Sequence, residues 1–220
     1  MATFKDRTEA GKLLATKLSA YANRADVLVL GLPRGGVPVA FEVAKALNAA
    51  LDVFVVRKLG VPGQEELAMG AIASGGVRVL NTQVVRSLHI STETIDRVAD
   101  LEQQELERRE KLYRGNRPAP NYTGRTIIVV DDGLATGSTM RAAIAALRQY
   151  EPNLIIVAVP IAAPEICQEF QLEVDEVVCY NTPENLWAVG RAYEDFSQTS
   201  DEEVCRLLDR ANNCQLAASS

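Results

Sequence analysis

The 220-residue sequence predicts an α/β fold, in which a mostly parallel central β-sheet is flanked by helices. Apolar, β-branched runs such as VLVLG at 27–31 and TIIVV at 126–130 indicate strands that are buried on both faces, as in parallel sheets. Helical patterns alternate with these runs, and the connections of such βαβ units are right-handed crossovers. Both observations favour one sheet with helices on each side.

The composition is typical of a globular protein, with 47% hydrophobic and 24% charged residues, which is enough to build a real core. We expect a single domain over 1–220, with its core at about 27–196. Charges at Lys5, Asp6 and Arg7 argue against a secretory signal, and the longest apolar run, from Leu154, is too short to span a bilayer. A cytoplasmic protein that does not enter membranes is therefore expected.

Net charge and cysteine usage narrow the function classes further. The formal net charge of −6 and the pI of about 5.0 argue against a broad nucleic-acid surface. The cysteines show no CxxC spacing and no His partners, so we expect reduced structural thiols. These are Cys167, Cys179, Cys205 and Cys214.

The first quarter of the chain predicts one βαβ unit. Asp6 can cap a helix that runs through 11–21 and covers one side of the sheet. A strand at 27–31, a helix at 37–47 and a second strand at 53–56 follow. This order predicts a right-handed crossover and a parallel strand pair.

A glycine-rich and polar stretch follows the second strand. Arg57 and Lys58 are expected to end that strand, and LGVPGQEELAMG at 59–70 leads into two short strand-like pieces at 70–74 and 77–80. From the residues alone, this region is an exposed hairpin with a charged approach.

The segment 82–114 predicts a charged helical insertion. Asn81 can cap a short helix that ends near Leu88, and Ser91 can cap a longer one. Its apolar stripe is thin, so the segment is either a solvated face or an arm that covers a site or meets another subunit.

The later elements continue the α/β alternation: a helix from 138, a strand at 154–161, a short helix at about 164–170, a strand at 175–181, an irregular segment at 183–196 and a C-terminal helix at about 200–212.

The stretch 126–139, TIIVVDDGLATGST, carries the chemistry. Its strand ends in the adjacent carboxylates Asp131 and Asp132, hereafter the acid pair. Carboxylates can accept hydrogen bonds from vicinal ribose hydroxyls and can lie close to a hydrated Mg²⁺. Backbone N–H groups at the following helix N-terminus can bind a phosphate, and Gly137 has no Cβ to block the approach. No Lys precedes Ser138 and Thr139, so this is not a Walker loop. The stretch predicts a site for a phosphorylated sugar.

A second loop, LPRGG at 32–36, lies between the first strand and its helix. Arg34 is a permanent cation, while Gly35 and Gly36 let backbone amides approach an anion closely. Alone, this loop is a weak signal and is more often just a turn.

Together the two loops resemble those of type I phosphoribosyltransferases, in which hydrophobic residues lead into two acids and a TG(S/G)(T/S) loop. The resemblance implies the fold of that family, with the acid pair on the ribose hydroxyls. It assigns the 5′-phosphate to Ala135, Thr136, Gly137, Ser138 and Thr139. It assigns the pyrophosphate group to Arg34, Gly35, Gly36, Arg57 and Lys58.

The same resemblance makes 59–70 a flexible hood over the reacting centre, where Glu65 and Glu66 are candidates to exchange a proton with the base. Trp187 would be the platform on which the base stacks. The implied cofactor is Mg²⁺, held through water by the acid pair and by Glu194 or Asp195. Hypoxanthine and guanine enzymes have an Asp where this chain has Ala135, so the loop is most similar to adenine and uracil enzymes.

The implied reaction transfers the 5-phosphoribosyl group from 5-phospho-α-D-ribose 1-diphosphate (PRPP) to a nitrogenous base and releases pyrophosphate. Asp131, Asp132, Arg34 and Lys58 would carry catalysis, with PRPP and a nucleobase-like acceptor as partners. The alternatives are a PRPP-sensing regulator with weak or no catalysis, and a hydrolase or an uncommon transferase that uses the same sugar diphosphate. A homodimer is possible within such a family.

Overall fold

The computed structural model of the protein describes the backbone of residues 3–218 and the side chains of residues 3–213. Its central sheet has five strands in the order β2-β1-β6-β7-β8, and every neighbouring pair is parallel. The strands are β1 (Val27–Gly31), β2 (Ala50–Val53), β6 (Thr126–Val130), β7 (Leu154–Ile161) and β8 (Glu176–Asn181). The predicted α/β class is confirmed.

Helices cover both faces of this sheet. Because successive strand residues point to opposite faces, Val29 and Ile128 pack in one core cluster, while Leu28 and Ile127 pack in the other. Every residue of β1 and β6 is buried, as the apolar runs predict. The first face carries α1 (Arg7–Lys17), α2 (Gly36–Leu47), α4 (Thr92–Arg114) and α7 (Asp201–Ala218), and the second carries α5 (Ser138–Arg148) and α6 (Pro164–Gln171).

A separate three-stranded antiparallel sheet, hereafter the hood, comprises β3 (Val56–Val61), β4 (Gln64–Ala73) and β5 (Val77–Leu80). Gly63 (φ +80°) forms the turn from β3 to β4, while Gly75 and Gly76 form the turn from β4 to β5, also at positive φ. The hairpin predicted from the strand-like pieces at 70–74 and 77–80 is present as β4 and β5. The polar stretch at 59–70, predicted only as the approach to that hairpin, instead forms the end of β3 and much of β4.

The helical arm at 82–114 consists of α3 (Thr82–Ser87) and α4. Asn81 and Ser91 cap these helices as predicted, by accepting hydrogen bonds from the Val84 and Thr94 amides. Asp6 caps α1 in the same way, through the Glu9 amide. Within the described residues, the structure contains no helix that is both long and apolar enough to cross a membrane.

Three boundary predictions are wrong. The second strand is at Ala50–Val53 rather than 53–56, because the apolar run continues through a buried corner at Phe54 and Val55. Arg57 and Lys58 consequently do not end that strand but lie within β3 of the hood. The first helix ends at Lys17 instead of 21, and a 3₁₀ turn at Ser19–Tyr21 follows it.

The prediction of reduced cysteines is wrong for two of the four. A disulfide joins Cys167 of α6 to Cys179 of β8. The helix that follows β7 packs back onto β8, so the tertiary fold brings together two positions whose sequence spacing matches no motif. Cys205 is a free thiol, and the side chain of Cys214 lies outside the described residues.

Candidate active site

The two loops singled out in the sequence meet at one edge of the central sheet. Strands β1 and β6 are parallel neighbours, so the segments that follow them emerge side by side. The Leu32 amide donates to the Val130 carbonyl at 2.9 Å. A Cβ on Gly36 would lie only 2.6 Å from that same carbonyl oxygen, and a Cβ on Gly35 would collide with the Asp132 carboxylate. The two glycines are therefore required for the loop to pack against the acid pair.

The acid pair is half-buried and held by hydrogen bonds. Asp131 accepts a hydrogen bond from the Asp132 amide at 2.9 Å, and Asp132 Oδ2 accepts from Arg7 Nε at 2.9 Å. Burial raises the pKa of Asp131 well above its ordinary value, and the charge of Asp132 raises it further. Burial also raises the pKa of Asp132, although the nearby Arg7 guanidinium opposes this shift. These carboxylates are held in a setting that disfavours charge and favours a cationic or hydroxyl partner.

Arg7 is a site residue that sequence reasoning missed. Its guanidinium forms an ion pair with Asp132, and the two side chains are only 12% and 16% exposed, so little solvent screens them. Arg7 Nη1 also donates to the Ser197 carbonyl at 2.7 Å, and its guanidinium carbon lies 4.0 Å from the centre of the Phe196 ring. An arginine in the first turn of a helix matches no motif, so the sequence has no signal for this contact.

Tyr193 is a second residue that the sequence did not single out. Its hydroxyl donates to the Asp132 backbone carbonyl at 2.6 Å, and burial raises the pKa of this phenol. The residue lies one position before the predicted acids Glu194 and Asp195. It reaches the site because Phe4 pairs with it in a parallel bridge.

The 135–139 loop ends at the N-terminus of α5. Gly137 adopts a left-handed conformation (φ +70°), and a Cβ there would lie 2.5 Å from the Phe170 ring. The side chains of Ala135, Thr136, Ser138 and Thr139 are exposed. The amide N–H groups of the first helical turn therefore face an accessible surface that is suited to a phosphate.

Arg141 braces this loop from within α5. It donates to the Thr136 carbonyl at 2.8 Å, pairs with Glu173 and Glu169, and lies over the Phe170 ring. The sequence gives no sign of this role, because the partners lie about thirty positions downstream in α6 and the turn after it.

The residues that were predicted to bind pyrophosphate lie in two places, the 32–36 loop and the hood. Arg34 is half-buried in the 32–36 loop, and its charge acts on Tyr113 of α4 and Glu202 of α7, so its side chain lies toward those two helices. Lys58 lies with Ser138 and Thr139 in the wall of a cavity of about 450 Å³ between the hood and α5, where it also pairs with Glu66 at 3.2 Å. Arg57 points to the other side of the hood and pairs with Glu102 of α4 at 2.6 Å. The structure thus brings Lys58, but not Arg57, to the 135–139 loop.

The remaining candidates lie farther from the acid pair. Trp187 is 82% exposed. In the irregular segment at 183–196, the contacts to the residues after β6 come from Val189, which packs against Gly133, and from Tyr193, which binds the Asp132 carbonyl. Glu65 is exposed on the hood, as is Glu66. Glu194 and Asp195 pair through their backbone amides with Phe4 and Lys5, and their side chains face solvent.

The donor set of the site fits a hydrated magnesium ion. Asp131 and Asp132 present hard carboxylate oxygens, which are the ligands that Mg²⁺ prefers. Among the described residues, no cluster of three or more His, Cys, Asp or Glu side chains could cage a metal by itself. Two carboxylates suit an ion that keeps most of its water ligands and is also bound by phosphate groups of a substrate, rather than an ion coordinated by protein side chains alone.

The chain is similar to known proteins along most of its length. A family model described as a phosphoribosyl transferase domain matches residues 5–194. A protein of Mycobacterium tuberculosis strain H37Rv, named provisionally as a phosphoribosyl transferase, is 51% identical over 212 residues. That match covers 96% of this chain and 48% of the relative, so the chain spans about half the length of the curated relatives it matches.

Solved structures show the same likeness. The crystal structure of the TT1426 protein from Thermus thermophilus is 41% identical with a TM-score of 0.83, over 94% of this chain and 98% of that chain. The AQ2163 protein from Aquifex aeolicus is 15% identical with a TM-score of 0.50, over 84% and 78% of the two chains, which is a likeness of fold alone. With the family model matching most of its length, this chain belongs to the phosphoribosyl transferase domain family.

Proposed function

We propose that the protein transfers the 5-phosphoribosyl group of PRPP to a nitrogenous base and releases pyrophosphate, with Mg²⁺ as cofactor. The observation that carries this proposal is the packing of the 32–36 loop onto the acid pair, beside the exposed N-terminus of α5. That arrangement offers acceptors for sugar hydroxyls between two sets of donors for phosphates.

Each part of the substrate has residues of matching chemistry. The amides and hydroxyls at 135–139 would hold the 5′-phosphate, and the acid pair would accept hydrogen bonds from the ribose hydroxyls. Arg34 and the amides of Gly35 and Gly36 would bind the diphosphate. Lys58 would reach it from the hood after leaving Glu66, a pairing that is exposed and therefore weak.

The reaction asks for positioning and charge complementarity more than for a nucleophile. Departure of pyrophosphate leaves positive character on the sugar, which adjacent carboxylates stabilise. Mg²⁺, when bound, supplies positive charge to the diphosphate leaving group. Residues of the 32–36 and 135–139 loops fix both ends of the sugar, so that the base meets C1 in line.

The residue at position 135 bears on which base is the acceptor. Ala135 in place of an acid favours adenine-like or uracil-like bases over 6-oxopurines. The exposed ring of Trp187 would have to fold over the site to serve as a platform, while Glu65 and Glu66 would need the hood to close before they could exchange a proton. The metal-side role of Glu194 or Asp195 also requires a change in side-chain direction. These roles stay predictions, as do the cytoplasmic location and a homodimer.

A pyrophosphate-release assay tests the proposal directly. Wild-type protein is incubated with PRPP and Mg²⁺ across a panel of purine and pyrimidine bases, beside the Asp131→Asn variant. We expect release that depends on one base, and a loss of about 100-fold or more in the variant, a typical effect of removing one group that stabilises transition-state charge. Asp96→Asn serves as the matched control, because Asp96 is an exposed acid of α4 that pairs with Arg78 of β5.

The outcomes separate the alternatives. Release without any base would indicate a hydrolase. PRPP binding without release under all conditions would indicate a regulator that senses PRPP. Absence of PRPP binding by the wild-type protein would overturn the proposed site itself.

A further inference from the structure

Arg7 contacts the acid pair from outside every motif in the sequence. It is the first residue of α1, 125 positions away from Asp132, yet it makes two contacts of 2.9 Å to the same carboxylate oxygen, through Nε and Nη2. We propose that Arg7 is a positioning residue that holds Oδ2 of Asp132, so that Oδ1 is left to meet the bound sugar diphosphate. This inference rests on the proposed function and adds a residue to it.

The Oδ2 atom of Asp132 is closed off on two sides. Arg7 occupies one side with its N–H groups, and Gly35 packs against the same atom so closely that a Cβ there would collide with it. This leaves Oδ1 as the atom through which a ligand would meet Asp132. The acid pair is consequently asymmetric, because Asp131 has no such cation on its carboxylate within the described residues.

The guanidinium is itself held on further sides. Nη1 of Arg7 donates to the Ser197 carbonyl at 2.7 Å, and the Phe196 ring lies 4.0 Å from the guanidinium carbon. Tyr193 fixes the backbone of Asp132 through a 2.6 Å hydrogen bond. A side chain fixed at this many points can orient a partner rather than only neutralise it.

The repulsion within the acid pair explains why the contact between Arg7 and Asp132 would matter for binding. Two adjacent carboxylates repel each other, and a carboxylate that turns away cannot accept a hydroxyl in a defined geometry. A planar guanidinium restricts such rotation, whereas an ammonium at the same place acts as a point charge. Lysine at position 7 is therefore expected to restore charge without restoring the geometry.

Calorimetric titration of PRPP in the presence of Mg²⁺ tests the role without relying on turnover. We expect Arg7→Gln to weaken PRPP binding by about 10–100-fold, the range seen when a residue that orients a metal ligand from outside the coordination shell is removed. Arg7→Lys should recover only part of the loss. Arg24→Gln breaks another Arg–Asp ion pair, with Asp26, and should bind as the wild type does.

A double-mutant cycle distinguishes positioning from a merely structural role. In the Asp132→Asn background, Arg7→Gln should cause little further loss of PRPP affinity, because its partner carboxylate is gone. An equal loss in both backgrounds would overturn the proposal, as would unchanged affinity in Arg7→Gln alone. Thermal unfolding checks that each variant is folded, and Arg7→Lys carries the cycle if Arg7→Gln does not fold.

The test also separates this inference from the proposed function. If the wild type binds PRPP and the Arg7 substitutions do not change that affinity, the proposed function stands and only the positioning role is overturned. Wild-type protein that takes up no PRPP removes both.

Discussion

At the scale of single residues, the acid pair shows that side chains suited to a binding site can lower the stability of the folded protein. Burial raises the pKa of Asp131, and the neighbouring Asp132 adds like-charge repulsion. The ionised form of Asp131 is therefore disfavoured in the folded protein relative to the unfolded chain. This unfavourable charge is expected at a site whose proposed role is to bind a hydrated cation and sugar hydroxyls.

The Asp131→Asn variant should therefore be more stable than the wild type at neutral pH. A raised folded-state pKa for an acid stabilises the protein at low pH, and this contribution is lost as the pH rises through that pKa. The gain should be about 0.5–2 kcal/mol, typical of neutralising a functional charge, or about 2–4 °C in Tm for each kcal/mol. Thermal melts between pH 4 and 8 measure this difference.

The same melts contain their own check. The variant and the wild type should converge as the pH falls below the ordinary aspartate pKa of 3.8, where both carry a neutral group. A variant that is less stable at neutral pH would show that Asp131 makes favourable interactions which the structure does not contain.

At the scale of elements, the 32–36 loop depends on close backbone approach. Gly36→Ala should disrupt the packing of this loop on β6, because its Cβ would lie 2.6 Å from the Val130 carbonyl oxygen and 2.9 Å from Asp131 Cα. We expect a loss of about 1–3 kcal/mol, the usual cost of overpacking, together with loss of PRPP binding. Denaturant unfolding and calorimetry measure the two effects.

Gly63→Ala is the control for this loop. Gly63 forms the turn of the hood at φ +80° with no neighbour within 4 Å, so its substitution reports the conformational cost alone. If Gly36→Ala bound PRPP as well as Gly63→Ala does, the result would contradict the close approach of the 32–36 loop to β6.

The arm is anchored to the central sheet by Arg114, the last residue of α4. Its side chain is 6% exposed and pairs with Asp52 at 2.9 Å, and it also donates to the Val53 carbonyl and to Glu110. Arg114→Ala should destabilise the protein by about 3–5 kcal/mol, since it leaves a buried carboxylate without its partner. Chemical denaturation measures the loss, and Arg108→Ala, which breaks an exposed pair with Glu105, should cost below about 1 kcal/mol. Similar losses in the two variants would contradict the anchoring role.

The parts of this site that the sequence predicts are those built from neighbouring residues. Strand, acid pair, glycine and helix start at 126–139 follow one another, and their order alone indicates their geometry. Arg7 and Tyr193 escaped prediction because they reach Asp132 from 125 and 61 positions away, through packing that no local pattern encodes. The sequence also did not predict the corner at Phe54, because a buried turn and a buried strand share the same apolar composition.

At the scale of the whole molecule, the hood and the central sheet differ in how firmly they are held. Every residue of β1 and β6 is buried, whereas the residues at 64–67 of β4 are all exposed. The base of the hood is tied down, because Ser74 accepts from the Val55 amide and its carbonyl accepts from Tyr150. A hinge between a fixed base and a free tip would allow the tip to approach the 135–139 loop.

Hydrogen exchange followed by mass spectrometry tests this difference. Amides of β1 and β6 should be the slowest to exchange, and those of the hood tip at 61–67 among the fastest, because local opening there exposes little buried surface. Addition of PRPP with Mg²⁺ should slow exchange at 32–36 and at 135–139, the two loops that we propose bind the phosphates. Slower exchange at 57–66 in the same experiment is expected if the hood closes and brings Lys58 to the diphosphate. Protection confined to the two loops would show that the hood stays open and that Lys58 remains with Glu66.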